Sequence, residues 1–451
     1  MPADLLKKVY EAITAQSARS VELFRYYDGD HPLRYSTQRL AKAFNDINTY
    51  FAQNWCSVVV DSVLERISLQ SLGVEGDDAS TDQLREAWAR MKLGQDAMDV
   101  HETALVTGTG YLIFGTDEDG NIELYENDPA LCAVVYDPMR PKVKLAGGKM
   151  WEEGNATKLM LYLPDAIETY EANNRAKTLV AHRAFRQIKR EPNEWGEIPV
   201  FRFPVSRRKP IGELGLSILS LQDAINKLLA DMMVSAEYTA YKQRVIITNA
   251  NVAGLKNAPN INWVIPAGAQ GEQASQILEL GGATLTNFLE PMDKLASSIA
   301  IISRTPKHYF FSQGGDPSGD ALITMEAPLV KKAKRRMANF GAVWQEVGSF
   351  LLRHGERPVQ VESYQVVPQW EQAETIQPVV QSTVALNYKN AEVPTESALL
   401  EAGWSKEKVD AMKKARMEEK SSTSNDSQEL LNRIRARQSQ DNGLMTEIDG
   451  A

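Results

Sequence analysis

A glycine-rich loop stands directly before a strongly basic helical segment in the stretch SQGGDPSGDALITMEAPLVKKAKRRM, residues 312–337. Gly314 and Gly319 are spaced like the two glycines of a phosphate-binding loop, G-x-x-x-x-G-K-[ST], in which a lysine and a hydroxyl follow. Here Asp320 takes the lysine position and Ala321 takes the hydroxyl position. Because a carboxylate repels nucleotide phosphates and alanine offers magnesium no oxygen ligand, the residues argue against a nucleotide site.

The helical segment after the loop carries five basic residues in six positions, Lys331, Lys332, Lys334, Arg335 and Arg336. On a helix with 3.6 residues per turn these positions surround most of the axis, so they cannot all face one ligand. One interpretation is a solvated face that pairs with Glu326 and neighbouring acids. The other is contact with an anionic partner, with some of the five meeting a neighbouring element or chain. The sequence leaves both interpretations open.

Other patterns that could bind metals or catalyse reactions are incomplete. The five histidines are scattered without the spacing of zinc ligands. Asp117, Asp119 and Asn121 alternate like the start of a calcium loop. The glycine that such a loop requires is replaced by Ile122, however, and Gly120 fits a hairpin turn instead. The chain also lacks a G-x-S-x-G nucleophile motif. We therefore expect no cofactor, no bound metal and no enzymatic activity.

Composition sets broad limits on the partners of the chain. Its 451 residues are enough for two to four substructures, and its net charge of -9 argues against tight nonspecific nucleic-acid binding through a generally basic surface. Only two cysteines occur, Cys56 and Cys132, so we expect no disulfide framework. The N-terminal residues lack the apolar region of a secretory signal, and no apolar run reaches the ~18 residues of a membrane span. We therefore expect no membrane partner.

The first half of the chain has the pattern of a mixed α+β region. Residues up to about 70 are mostly helical in pattern, and TDQLREAWARMKL predicts a short helix with Thr81 or Asp82 as its N-cap. From Gly110 to about Val205 the period becomes that of strands, in YLIFGT, IELYE, LCAVVY, KLMLYL, AHRAFRQIK and IPVFRFPV.

The second half predicts three long helices. Two of them have apolar residues three and four positions apart and enclose a segment rich in Asn, Gly and Pro that contains two short strands. The first stripe is Ile218, Leu221, Ile225, Leu228 and Met232, and the second is Phe288, Met292, Leu295, Ile299 and Ile302. The third helix, predicted from about Ala321 to Arg353, should bend at Pro328. A polar helical region then leads to a tail of low complexity.

In this order the parts resemble the portal proteins of tailed bacteriophages, which are the head-to-tail connector subunits. The likeness is carried by YYDGDHPLRY at 26–35, EWGEIPVFRFP at 194–204, ISRTPKHYF at 302–310 and, above all, GGDPSGDALITMEAPLVKKAKRRM at 314–337. Each pattern alone is loose, and their order and spacing are specific. The resemblance is weakest beyond about Trp370.

The resemblance implies an α+β fold with portal architecture, divided at definite boundaries. These are a wing-like α+β region at 1–213, a first stem helix at 214–241, a clip at 242–284, a second stem helix at 285–304, a tunnel loop at 305–320, a long kinked helix with a return to the wing at 321–369, and a crown-like helical region with a mobile tail at 370–451.

The resemblance also implies a function. The protein would be a structural subunit of a ring of twelve copies at one capsid vertex, made in the host cytoplasm and carried in the virion. Its partners would be itself, nonspecific double-stranded DNA, the large subunit of the terminase motor, a head-tail adaptor, and the major capsid or scaffolding protein. The DNA-facing tunnel-loop residues would be Ser312, Gln313, Gly314, Gly315, Asp316, Ser318, Gly319 and Asp320.

The role of the five basic residues stays open after the resemblance, because they could line the channel or bridge subunits. Two alternatives to a portal subunit also remain. One is a nucleotide-dependent phosphohydrolase with a degenerate glycine-rich loop, which requires a magnesium-binding acid and a lysine that the sequence does not place. The other is a different capsid-associated adaptor.

Overall fold

The computed structural model describes residues 2–31, 53–116, 120–175, 180–240, 244–247, 276–279, 284–310, 319–355, 357–374, 378–402, 404 and 408–417. The chain divides into two compact units, a large unit from Met1 to Ala373 and a small unit from Glu374 to Ala451. Both helices and antiparallel sheets are present, so the predicted α+β class is confirmed.

The described residues contain nine α-helices with assigned bounds: α1 Pro2–Tyr27, α2 Trp55–Leu64, α3 Asp78–Arg90, α4 Leu93–Thr107, α5 Leu216–Ala240, α6 Thr286–Ser303, α7 Gly319–His354, α8 Pro378–Asn390 and α9 Thr395–Glu401. Residues 408–417 are also helical. The small unit is helical in its described part, as the sequence of this region predicts.

Twelve strands occur in the described residues: β1 Leu69–Val74, β2 Thr109–Thr116, β3 Ile122–Asn127, β4 Cys132–Tyr136, β5 Lys144–Glu153, β6 Ala156–Tyr162, β7 Ala166–Asn173, β8 Arg186–Pro192, β9 Val200–Pro204, β10 Arg244–Ile247, β11 Gln276–Glu279 and β12 Val366–Trp370. They form a five-stranded sheet β4-β5-β6-β7-β8, a three-stranded sheet β3-β2-β9 and the pairs β1-β12 and β10-β11. Every pairing is antiparallel.

The strand patterns of the sequence are largely confirmed, and two local predictions are wrong. In AHRAFRQIK the first part forms a 3-10 turn, His182–Ala184, and β8 begins only at Arg186. The helix α3 begins at Asp78, because Asp77 is its N-cap and accepts a hydrogen bond from Ser80 N at 3.1 Å. The hydroxyl of Thr81 is engaged elsewhere and accepts a hydrogen bond from Val74 N at 2.9 Å. The capping side chain of Asp77 therefore sets the N-terminal end of α3.

Helix α1 covers the five-stranded sheet. Val9 and Ile13 are fully buried against Leu159 and Leu161 of the sheet. A side chain at Gly148 would place its Cβ 2.2 Å from Val9 Cγ1, so glycine is required where helix and sheet approach each other. The N-terminal helix is thus an integral layer of the large unit.

The main core of the large unit is built around α7. Phe340, Trp344 and Phe350 are fully buried within it. His101 of α4 stacks on Phe340 with 4.8 Å between ring centroids, and its Nε2 accepts a hydrogen bond from Trp344 Nε1 at 2.9 Å. Burial lowers the pKa of His101 to about 3, against the effect of a hydrogen bond to the backbone of Ile67. The ring is therefore a neutral core group.

The two helices α5 and α6 pack against each other, and the short strands β10 and β11 pair antiparallel in the segment between them. The predicted apolar stripes are only partly buried. Ile218, Ile225 and Ile299 are in the core, whereas Ile302 is 53% exposed. The rest of the predicted insert lies outside the described residues.

The long third helix begins two residues earlier than predicted, at Gly319, and continues past Pro328 to His354. The sequence of the glycine-rich loop from 312 to 318 lies outside the described residues. Its final predicted members, Gly319 and Asp320, lie in the first turn of α7.

Candidate functional site

The five basic residues of α7 divide between two faces of the helix. Lys332 is 8% exposed and Arg336, one turn later, is half-buried. The other three are exposed, namely Lys331, Lys334 and Arg335. This division follows from helical geometry, because residues four apart share a face.

Lys332 and Arg336 share one carboxylate, that of Glu213. Lys332 Nζ lies 3.1 Å from one oxygen of Glu213, and Arg336 lies 2.9 Å from the other. All three side chains are at most 14% exposed. Burial lowers the pKa of Lys332, and the neighbouring carboxylate of Glu213 opposes this shift. Glu213 thus compensates two buried cations within the same chain.

The same two cations also hold backbone carbonyls of neighbouring segments. Lys332 Nζ donates to Ser303 O at 2.6 Å, at the end of α6, and Arg336 Nη1 donates to Val205 O at 3.0 Å, just after β9. Asn339 donates to the same carbonyl of Val205 at 2.8 Å. The segment before α5, the end of α6 and the end of β9 therefore converge on about two turns of α7.

Glu326 has partners other than those that the sequence suggested. Its carboxylate lies 3.0 Å from Arg66 Nη2 and 3.8 Å from His308 Nε2. Arg66 also donates to Tyr309 Oη at 3.0 Å and to Ala373 O at 2.8 Å. The interpretation that Glu326 pairs with the basic run is wrong, because the acid faces α2 and the turn before the glycine-rich loop.

Sequence reasoning missed three further basic residues, Arg207, Arg208 and Lys209, which are exposed between β9 and α5. The carbonyl of Val205 is bonded to Arg336, so this loop lies beside α7. Arg304, directly after α6, is exposed as well. We call these four residues, together with the exposed Lys331, Lys334 and Arg335, the basic surface. The run of three basic residues in SRRKP was the available signal for it.

Buried polar side chains connect α5 to the first two helices. Gln222 accepts a hydrogen bond from Trp55 N at 2.9 Å, Asp223 accepts one from Tyr26 Oη at 2.7 Å, and Asn226 Nδ2 lies 2.9 Å from His31 Nδ1. Such satisfied polar contacts fix the position of a helix more specifically than apolar packing does. The apolar stripe of α5 gave no indication of them.

Among the described residues, no group of three or more His, Cys, Asp or Glu side chains is arranged to hold a metal ion. In the same part of the chain, no helix has the length and apolar character needed to cross a membrane. What the described site offers is a set of exposed cations beside a helix junction that buried ion pairs and hydrogen bonds hold together.

Comparison with known proteins gives a consistent result. The family described as Phage portal protein, SPP1 Gp6-like, matches residues 6–426. A portal protein of Mycobacterium phage D29 is 23% identical over 381 residues, which cover 77% of this chain and 75% of that protein. A portal protein of Mycobacterium phage L5 is 22% identical over 382 residues, which cover 79% of this chain and 76% of that protein.

Proposed function

The chain belongs to the SPP1 Gp6-like family of phage portal proteins, and from this premise we propose that twelve copies close into a ring through which double-stranded DNA is packaged and ejected. The family match over residues 6–426 carries this proposal. A portal protein is a structural component of the phage capsid, so the ring would occupy one capsid vertex and remain in the virion. The subunit itself would catalyse no reaction.

The packing of α5 against α6 supports the assignment of these helices as the stem, within 214–241 and 285–304. The described sheets at 1–213, together with the return strand β12 after α7, support the wing. The helices of the small unit fall within the proposed crown at 370–451.

The strand pair β10-β11 supports a clip at 242–284 that depends on neighbouring copies. Val245, Ile247 and Leu278 in this pair are 43%, 55% and 52% exposed. An isolated two-stranded pair is marginally stable in water, so it gains from contacts with the same element of adjacent subunits. In the assembled ring this module would dock the terminase motor and later the head-tail adaptor, while the crown would face the capsid interior and its shell or scaffolding protein.

The basic surface supports weak contact with DNA phosphates. Twelve subunits carry a net charge of 12 × -9, or -108, which keeps a duplex near the axis of a ring. Against this background, exposed cations on α7 provide local attraction without the tight grip of a basic protein. The glycine-rich tunnel loop at 305–320 would line the channel, and Asp320 would limit adhesion to the duplex.

The first experiment is the native mass of the purified protein, followed by electron microscopy. A particle of ~600 kDa, twelve times 50.2 kDa, with a central hole is the expected result. A chain that stays monomeric at high concentration, even with capsid protein present, would contradict the proposal.

The role of the tunnel loop is tested separately with Asp320→Lys. We expect rings of normal mass that package or retain less DNA, because an added cation near the axis increases adhesion to phosphates. Glu86→Lys, an equal change of charge at an exposed position of α3, is the matched control. Normal packaging by the Asp320→Lys variant would remove the loop from the DNA path.

A further inference from the structure

Arg202 of β9 is a half-buried cation with an unusual environment. Its Nε atom is buried and has no hydrogen-bond partner among the described residues. Within the same part of the chain, no carboxylate lies at ion-pair distance from its guanidinium group. Buried polar atoms are normally paired, because a buried donor without an acceptor costs free energy. A ligand that brings an acceptor to Arg202 would remove this cost.

The side chain of Arg202 lies beside an apolar cluster that two sheets share. The cluster includes Val200 of β9 and Val134 of β4, and Tyr136 packs against it. Because alternate residues of a strand point to one face, Arg202 shares the inward face of Val200. Its pairing partner across β2 and β9 is Tyr111, which also belongs to the cluster. Arg202 and Tyr136 therefore border the same interface between the sheets.

A second guanidinium group acts on the same place. Burial raises the pKa of Tyr136 to about 12, and the positive charges of Arg202 and Arg207 oppose this rise. Burial also raises the pKa of Tyr111, and the charge of Arg202 again opposes the shift. Both guanidinium groups thus lie near the hydroxyl of Tyr136. We call Tyr136, Arg202 and Arg207 the two-arginine site.

The carboxylates nearest to the two-arginine site already have cations of their own. Glu346 of α7 lies 3.6 Å from Lys144 Nζ, and Asp137 lies 3.0 Å from Arg140. The two guanidinium charges of the site are therefore not balanced by the described residues around them. Two positive charges match a phosphate group, which as a monoester carries about -2 near pH 7.

We propose that Tyr136, Arg202 and Arg207 bind a phosphate group at the border between the two sheets. The planar guanidinium groups offer several N–H donors that suit phosphate oxygens, and the hydroxyl of Tyr136 adds another. Arg207 is exposed and gives the ligand access from solvent. Free phosphate and the backbone of DNA are the two sources of such a group. The site lies within one subunit, so it does not depend on the proposed ring.

The variant Arg202→Met tests the site, because it keeps the apolar stem and removes the guanidinium group. The Tm of the full chain is measured in chloride and in phosphate at equal ionic strength. Phosphate stabilises proteins generally through exclusion from their surface, so the shift of the wild type is compared with that of the variant. We expect phosphate to raise the Tm of the wild type by about 2 °C more. Arg183→Met, at an exposed position before β8, should respond like the wild type.

The Tm in chloride separates a ligand site from a structural contact. Removal of a cation that has no partner in the subunit should leave this Tm unchanged or raise it. A decrease of several degrees in Arg202→Met would instead assign Arg202 to the packing of the subunit and overturn the proposal. Tyr136→Phe loses only a hydroxyl and should weaken the affinity for phosphate about threefold.

A titration with a short labelled DNA duplex identifies the source of the phosphate group. If the DNA backbone occupies the site, Arg202→Met should bind the duplex at least about threefold more weakly than Arg183→Met, and inorganic phosphate should compete. If the two variants bind the duplex equally while phosphate still stabilises the wild type selectively, free phosphate is the ligand.

Equal effects of phosphate on the Tm of the wild type and of Arg202→Met would contradict the proposal. If the native mass of Arg202→Met is then lower than that of the wild type, the guanidinium group pairs with a carboxylate of another copy of the chain. A wild type that forms no ring but shows the selective effect of phosphate would contradict the proposed function and leave the two-arginine site supported.

Discussion

At the scale of single residues, Glu213 pairs with two of the five basic residues of α7, although the five look alike in sequence. The carboxylate lies 119 positions before Lys332 and 123 before Arg336. It removes both cations from the surface and leaves Lys331, Lys334 and Arg335 exposed. The five residues therefore do not share one role. The buried cations stabilise the subunit through their ion pairs with Glu213, whereas the exposed cations can contact a partner.

Replacing Glu213 by Gln should destabilise the subunit strongly, since it leaves two buried cations without their counter-charge. We expect a loss of about 3 kcal/mol in the free energy of unfolding, measured by denaturant titration. Lys332→Met should cost less, because Met fills the volume of the lysine stem and Arg336 keeps its partner. The control Lys331→Gln should change stability by less than about 0.5 kcal/mol. Equal effects of Glu213→Gln and Lys331→Gln would show that the buried pair does not stabilise the fold.

His101 should make the fold sensitive to acid. Its pKa is about 3 in the folded chain because it is buried, whereas an unfolded histidine titrates near 6.5. The unfolded state therefore binds the extra proton first, and the contribution of His101 to stability falls as the pH drops from about 6.5 towards 3. At pH 5 this loss is about 2 kcal/mol.

The matched variant is His101→Gln, whose side-chain oxygen can still accept the hydrogen bond from Trp344. Its free energy of unfolding relative to the wild type should rise by about 2 kcal/mol between pH 7 and pH 5. A pH-independent difference would mean that His101 remains neutral in both states over this range. The aromatic residues around the ring, Phe203, Phe340 and Trp370, carry no charge that would alter this sign.

The residue-scale site was only partly predictable from sequence. Helical geometry required the five cations to face different surroundings, and that expectation agrees with the division between Lys332 and Lys331. The identity of the counter-charge was not predictable, because β9 and the loop after it determine that Glu213 lies beside α7. The interpretation that placed Glu326 there relied on proximity in sequence, whereas tertiary packing turned Glu326 towards Arg66.

At the scale of elements, the position of α5 relative to the sheets depends on a close approach of backbones. The segment before α5 crosses the end of α4, where Glu213 N donates to Leu105 O at 2.7 Å. A Cβ at Gly212 would stand 2.2 Å from Leu105 O and 2.4 Å from Val106 O. In the same crossing, a Cβ at Gly108, which has φ 102°, would stand 2.2 Å from Pro210 O. This crossing fixes the point at which α5 leaves the sheets.

Gly212→Ala should therefore displace the start of α5. We expect a loss of about 2 to 3 kcal/mol in the free energy of unfolding, since backbone atoms cannot yield as a flexible side chain can. Gly215→Ala is the matched control three residues later, where the nearest atom to an added Cβ is Ile211 Cγ2 at 4.0 Å. That control should shift stability by less than about 1 kcal/mol. Equal stabilities of the two variants would show that the backbone at Gly212 can move to accommodate a Cβ without a loss in the free energy of unfolding.

The elements themselves were predicted better than their ends. Strand patterns gave β2, β3 and β6, and apolar stripes gave α5 and α6. The burial of one face determines the patterns of β3, β6 and the two helices, whereas β2 is buried on both faces. The pairing of β1 with β12 was not predictable, since Leu69 and its partner Trp370 are 301 positions apart. The polar contacts of Gln222 and Asp223 were also missed, because a search for apolar periodicity disregards polar residues that become buried.

At the scale of the whole molecule, the hydrophobic clusters belong to the large unit. The main core and its two satellite clusters contain buried residues only up to Ala373, whereas the described part of the small unit buries few apolar side chains, among them Ala398, Ala402 and Val409. The large unit should therefore fold without the small unit.

A chain that ends at Glu374 tests this expectation. Because the clusters remain complete, we expect it to unfold cooperatively, with a Tm within about 3 °C of the large-unit transition of the full chain under conditions in which both are monomeric. Because the proposed stem helices α5 and α6 and the sheets of the proposed wing are retained, the shortened chain should still form rings by native mass. A shortened chain that folds but stays monomeric would place an essential ring contact in the small unit. One that fails to fold would show that the large unit needs the residues after Glu374, and the two failures are distinguished by circular dichroism of the same sample.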